Sequence, residues 1–229
     1  MLTIGEPKIT KTTDKKVRLS ASIEMDNEVK DLWLEVEEKY SKYLVKDRCD
    51  AFLVAMLPIA MRAKKEIICT APVSEELLHN IKTQLVPTLA KSGNDFYKSR
   101  ISADIIRQPI KSAGAVGTGL SRGIDSMHVL NNYLDPEYQD MRLTHVCIND
   151  VGAFSIAGYA EGDRNPELIK QECFEKSINL AKKLDLPYIV IKSNLASDFK
   201  AQYVLNHIYC NLFPVFALQK LFKLYYYGS

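Results

Sequence analysis

The residues best placed to do chemistry are Gly117-Thr118-Gly119-Leu120-Ser121-Arg122-Gly123-Ile124-Asp125-Ser126. They follow a small apolar run, Ala113 to Val116, and precede Met127-His128-Val129-Leu130, which opens a helix. The order predicts a strand, a glycine-rich turn and a helix N-terminus, a geometry that holds phosphate. Backbone N–H groups there have no intrahelical partners, and the helix dipole adds about +0.5 charge. Glycine lets the backbone approach an anion with no Cβ in the way.

Two familiar phosphate loops do not fit. Gly114 and Gly119 have Walker A spacing, but Leu120 stands where a lysine is required. A dinucleotide loop needs glycine three residues after Gly119; Arg122 is there, and Gly123 comes one place late. Gly119-Leu120-Ser121-Arg122-Gly123 does match the G-x-S-x-G nucleophile elbow. In that reading Ser121 attacks, His207 is the base, and Asp150, Asp163 or Asp198 orients it. The chain order Ser, Asp, His agrees. No His-Gly-Gly-Gly-like oxyanion segment lies upstream. A serine hydrolase stays open as an alternative.

Ser121-Arg122-Gly123-Ile124-Asp125-Ser126 resembles the S-G-G-x-D-S loop of the PP-loop ATP pyrophosphatases, five of six positions agreeing in kind. That adenine nucleotide alpha hydrolase-like superfamily includes 7-cyano-7-deazaguanine synthases, the synthetase half of GMP synthetase, asparagine synthetases and tRNA-thiolating enzymes. The resemblance implies ATP and Mg²⁺ as cofactors and cleavage between the α- and β-phosphates. A small-molecule carboxylate or carbonyl/amide oxygen would be adenylated, and a nitrogen or sulfur nucleophile would displace AMP. Gly119, Ser121, Arg122, Gly123, Asp125 and Ser126 would bind ATP, with Asn149 from the next strand end. Asp125, Ser126 and Arg122 would carry catalysis, and Asp125 would hold the metal. Arg122 departs from the family, which has glycine there. If the position needs positive φ, Arg strains it by about 1–2 kcal/mol. A bidentate guanidinium–phosphate contact would offset this; otherwise the loop has drifted and the chain is a degenerate nucleotide-binding or interaction module.

Composition sets the frame. The chain has 229 residues, 47% hydrophobic and 25% charged, with net charge +2. This describes an ordinary soluble globular protein. No basic run interleaved with aromatics indicates dedicated nucleic-acid binding. The five cysteines are widely spaced without C-x-x-C, which predicts reduced thiols in a cytoplasmic protein and no zinc ribbon. The C-terminal zinc cluster of the 7-cyano-7-deazaguanine synthases and the paired cysteines common in tRNA-thiolating relatives are both missing from the sequence. The N-terminus lacks a signal pattern. The apolar stretch from Phe213 to Leu218 is too short to span a membrane.

The fold expected is α/β: a parallel, doubly wound nucleotide-binding sheet over residues 110–229, preceded by a smaller α+β region over 1–109. Two strands, Leu2 to Ile9 and Val17 to Met25, lead to a helix from Glu28 to Tyr43, with Val29, Leu32, Trp33, Val36 and Tyr40 as its apolar stripe. A buried helix follows from Asp47 to Ala63. Asp47, Arg48 and Asp50 at its start read as a capping acid with local ion pairs, pocket lining being the alternative. Glu66 to Thr70 is a strand, Ser74 caps a helix, and Arg100 to Ile106 is a strand.

From Gly114 strands and helices alternate. Leu143 to Ile148 forms a strand ending at Asn149-Asp150. Asn165-Pro166 starts a helix to Leu184. Pro187 to Lys192 is a continuous apolar strand. Strand C-termini then bring the 119–126 loop, Asn149-Asp150 and Ser193-Asn194 together. His128, His145 and His79 read as structural. The last thirty or so residues form an apolar helical region broken at Pro214 and ending in Tyr225-Tyr226-Tyr227. Such an end needs a cover, a homodimer contact or the chain's own nucleotide domain, the homodimer being the first reading. Chains of this type look as though they continue further, so this one reads as a truncated version.

Overall fold

A computed structural model describes residues 1–12, 15–93, 95–155, 165–199, 201 and 203–228. Short strands β1 (Leu2–Ile4) and β2 (Lys8–Lys11) precede a long hairpin, β3 (Lys16–Met25) and β4 (Glu28–Glu37). The two turn residues, Asp26 and Asn27, have φ of 54° and 66°. Two left-handed residues make a type I′ turn, whose twist matches the strands, and Asp and Asn tolerate it well. Pairing runs unbroken from Met25↔Glu28 to Lys16↔Glu37. The helix expected over 28–43 is therefore corrected to a strand and a 3-10 turn at Glu38–Tyr43. The buried set is Leu32, Leu34 and Val36, a period of two; Val29 is exposed. Trp33 lies on the opposite face with the Arg18 guanidinium 3.8 Å above its ring.

Helix α1 (Asp50–Arg62) is buried nearly all round, as its sequence requires, with Pro58 inside it. Strands β5 (Ile67–Cys69) and β6 (Val73–Ser74) follow. Helix α2 (Glu75–Asn80) passes through a π turn at Ile81–Leu85 into α3 (Val86–Lys91). The strand expected over 100–106 is split into β7 (Ile101–Ser102) and β8 (Ile105–Ile106). Then come β9 (Ala115–Gly119), α4 (Ile124–Tyr133), β10 (His145–Asp150), α5 (Pro166–Lys183) and β11 (Tyr188–Ser193). Asn165 caps α5 by accepting the Glu167 N–H at 2.9 Å. A short α6 (Leu195–Asp198), α7 (Tyr203–Ala217) and β12 (Phe222–Tyr226) complete the chain.

One mixed sheet runs through the molecule in the order β12-β9-β10-β11-β4-β3-β1-β5-β7, with β2 also on β3. Strands β12, β9, β10 and β11 are mutually parallel neighbours. The seam between this part and the N-terminal hairpin is antiparallel, Lys192↔Glu35 and Ser193↔Leu34. Helices cover both faces. Val116, Val146 and Ile148 pack with Val129, Leu130 and Ala181 from α4 and α5. Their strand neighbours Ala115 and Cys147 point the other way, into the larger core with α1 and α7. Alternation along each strand thus feeds two separate hydrophobic layers.

The C-terminal segment corrects the homodimer expectation. Helix α7 runs through Pro214 without breaking and packs on α1, with Phe52 and Phe213 edge to face at 5.3 Å. Leu218, Leu221 and Phe222 are buried, and β12 joins β9. The apolar groups are covered by the chain itself. No described helix is long and apolar enough to cross a membrane.

Candidate functional site

The turn after β9 is fixed at both ends. Leu120 is buried, and its N–H donates to the Cys147 carbonyl at 2.8 Å. Three residues later Gly123 is the extended N-cap of α4. Between them Arg122 takes a left-handed φ of 65°. This is the position where the S-G-G-x-D-S pattern has its first glycine. An L-residue with a long side chain costs about 1–2 kcal/mol there.

Two serines shape the turn. Ser121 Oγ accepts the Gly123 N–H at 3.2 Å and donates to Ser126 Oγ at 3.2 Å. Ser126 is buried and donates to the Gly123 carbonyl at 3.0 Å. Asp125 is exposed in the first turn of α4 and has no ion pair among the described residues. The Arg122 Nε–H donates to Ser177 Oγ on α5 at 3.3 Å.

A cleft of about 330 Å³ opens over this turn. Gly119, Ser121, Asp125 and Ser126 form one wall, and Asn149 at the end of β10 forms the floor with Asn211 of α7. The Asn149 amide donates to Asn211 Oδ1 at 3.0 Å, while its own Oδ1 is buried without a partner. An acceptor left open in a cleft wall calls for a donor. Phe154 and Phe174, edge to face at 5.7 Å, make an aromatic side. Tyr203, His207, Tyr225 and Tyr227 close the opposite side. Burial raises the Tyr225 phenol well above its ordinary range and pushes Tyr227 up to about 12, so both stay neutral donors. Burial likewise pushes the Cys147 thiol up to about 12, which makes it a poor nucleophile.

The residues singled out in the sequence fall partly on this cleft. Gly119, Ser121, Asp125, Ser126 and Asn149 line the cleft; Arg122 and Gly123 belong to the turn but do not line it. Asp150 turns away to Lys170 at 3.3 Å. Asn194 is buried and ties Trp33, Asp31 and Asp198 together, so it is structural. Its expected convergence on the cleft is corrected.

The triad of the nucleophile-elbow reading is not assembled among the described residues. Ser121 is bonded to Ser126, and His207 Nδ1 faces its own helix at the Val204 carbonyl, 3.2 Å away. Asp198 is held by Ser197 and Asn194, and Asp163 lies outside the described residues. Read as an undivided apolar end, Tyr225-Tyr226-Tyr227 gives no sign of a cleft in the sequence. Strand alternation sends Tyr225 and Tyr227 to the cleft and Tyr226 to the other face, stacked on Tyr133 at 3.8 Å.

The donor set can be tested against a nucleotide with Mg²⁺. The open carboxylate of Asp125, the first-turn N–H groups of α4, which have no intrahelical acceptor, and the unpartnered Asn149 Oδ1 fit it; the Leu120 and Gly123 N–H groups are already taken. No group of three or more metal-ligating side chains occurs among the described residues, but Mg²⁺ bound to phosphates needs only one or two carboxylates. Among the described residues, no Lys or Arg lines the cleft. Gly228 rests on the first turn of α4, where an added Cβ would lie 3.1 Å from the Asp125 carbonyl oxygen. No family model, curated protein or solved structure matches the chain.

Proposed function

We propose that the cleft binds ATP with Mg²⁺, phosphates on residues 119–126, in the manner of a PP-loop ATP pyrophosphatase. The left-handed φ of 65° at Arg122 carries the reading. The backbone takes the conformation a glycine loop would take, at the motif's own glycine position, although the residue is arginine. The strand order supports it. From β9 the sheet grows through β10 to β11, and the chain then returns to place β12 on the other side of β9. A doubly wound sheet binds ligands in the crevice that such a reversal leaves at the strand C-termini. The turn and Tyr225 both face that crevice.

In this reading the first-turn N–H groups of α4 would bind phosphate and Asp125 would hold the metal. Asn149 accepts a donor from the ligand, and the aromatic side excludes water. An acceptor oxygen bonds to the α-phosphorus, the α–β P–O bond breaks, and pyrophosphate leaves. The chain's contribution is position and charge stabilisation.

A binding-only form of the reading is supported by one observation, that no Lys or Arg is among the described residues lining the cleft. Calorimetric titration with ATP at fixed Mg²⁺, with a pyrophosphate-release assay over a panel of carboxylates and amides, separates the two. Binding that weakens about 10- to 100-fold in Asp125→Ala, as loss of a charge-assisted contact predicts, supports the site. Binding without pyrophosphate over the panel supports the binding-only form. No ATP binding, or binding indifferent to Asp125, sinks both.

A further inference from the structure

A second cleft, of about 600 Å³, shares no lining residue with the first. It lies between the turn at Lys42-Tyr43, the pair Asp47-Arg48 ahead of α1, and the connector from Gln108 to Ala113. Four cations, Lys42, Arg48, Lys111 and Lys220, face one carboxylate, Asp47, leaving a net charge of +3.

Arg48 is the informative residue, because only 4% of it is exposed. Its Nη1 donates to Ser74 Oγ at 3.0 Å and to the Gln108 carbonyl at 3.3 Å; its Nη2 donates to Asp47 Oδ2 at 3.2 Å. Its Nε–H is buried and has no partner. Nε and Nη2 form the guanidinium edge that grips a carboxylate or phosphate with two parallel bonds. One half of that edge is used and the other is open. Native proteins seldom leave a buried charged donor unpaired, because desolvating it is costly. Asp50 does not fill the gap: its oxygens accept the Ser74 N–H at 2.8 Å and the Ser74 hydroxyl.

Asp47 marks where an outside anion would sit. Its half-exposed carboxylate reaches Arg48 with one oxygen and lies 3.6 Å from Lys220 Nζ with the other. It therefore acts as an internal competitor. Lys111 is exposed and has no ion pair among the described residues.

We propose that this cleft binds a small organic phosphate, anchored on Arg48 and Lys220, with its organic part against Tyr43, Pro109 and Ile110. A local charge of +3 favours a dianionic head over a carboxylate.

A backbone-amide NMR titration of the full chain at low salt tests this, with phenyl phosphate, inorganic phosphate and benzoate as separate probes. Phenyl phosphate should shift the amides of Asp47, Arg48 and residues 111–113 and bind more tightly than benzoate. Asp47→Asn should tighten phenyl phosphate binding by roughly three- to tenfold, and Lys111→Glu should weaken it by as much, the scale of one partly screened charge. Inorganic phosphate matching phenyl phosphate would remove the organic part of the assignment. Benzoate binding as tightly would overturn the phosphate assignment. No shift at 111–113, or an unchanged affinity in Asp47→Asn, would overturn the site. Shifts at 119–126 report the other cleft and are scored apart, so each reading fails on its own.

Discussion

Replacing Arg122 tests the turn directly, because the sign of the effect depends on one dihedral angle. Arg122 sits at φ 65° and gives its Nε–H to Ser177 at 3.3 Å. In Arg122→Ala that bond is lost, about 0.5–1.5 kcal/mol, and the left-handed strain of about 1–2 kcal/mol remains. In Arg122→Gly the same bond is lost, the strain is relieved, and the freer unfolded chain costs about 0.5–1 kcal/mol. Glycine should therefore be more stable than alanine by about 0.5–1 kcal/mol and close to the parent protein. In right-handed or extended backbone the order would be reversed. Urea unfolding midpoints of the three proteins read the difference. Calorimetry on the same proteins reads the cleft. With the guanidinium held on α5, ATP·Mg²⁺ affinity in Arg122→Gly should be equal or better. An alanine variant as stable as the glycine variant would refute the left-handed turn. A loss of ATP affinity beyond about tenfold in Arg122→Gly would refute the placement of the guanidinium away from the phosphates.

Two further outcomes follow from the packing. Phe213→Ala should destabilise the fold by about 3–5 kcal/mol, because Phe213 is fully buried against Phe52; an unfolding midpoint that is insensitive to protein concentration should accompany the loss, and a concentration-dependent midpoint would contradict burial within the chain. Burial lowers the His145 pKa below its ordinary value, so the unfolded state takes up a proton first as pH falls, and stability should drop below about pH 6.5. His145→Gln should flatten that acid limb in urea titrations, and an unchanged slope would place the loss elsewhere.

The β9 to β11 unit was legible because each signal in it is local. A glycine turn precedes α4, Asn165-Pro166 begins α5, and an apolar run marks β11. The hairpin was not, because Val29, Leu32, Trp33 and Val36 satisfy helical spacing while Leu32, Leu34 and Val36 satisfy alternation. The left-handed pair Asp26-Asn27 decided for the strand. The site divides the same way. Its glycine turn is one continuous segment and is legible from spacing. Its aromatic side comes from Phe174, Tyr203 and Tyr227 on different elements. Phe174 arrives on α5 and Tyr203 on α7, and only the return of the chain to β9, pairing Phe222 to Tyr226 with Ala115 to Thr118, brings Tyr225 and Tyr227 to that turn.

That late return has a consequence for synthesis. Phe52 finds its ring partner in Phe213, and the outer edge of β9 finds its neighbour in β12. A ribosome emitting about 5–20 residues per second needs about 10–30 s to pass from one phenylalanine to the other. Throughout that interval the apolar surface of α1 has no α7 to lie against. The nascent chain therefore waits with its largest core half built, and a holding chaperone on the segment around Phe52 should raise the yield of folded protein more than one that acts after release.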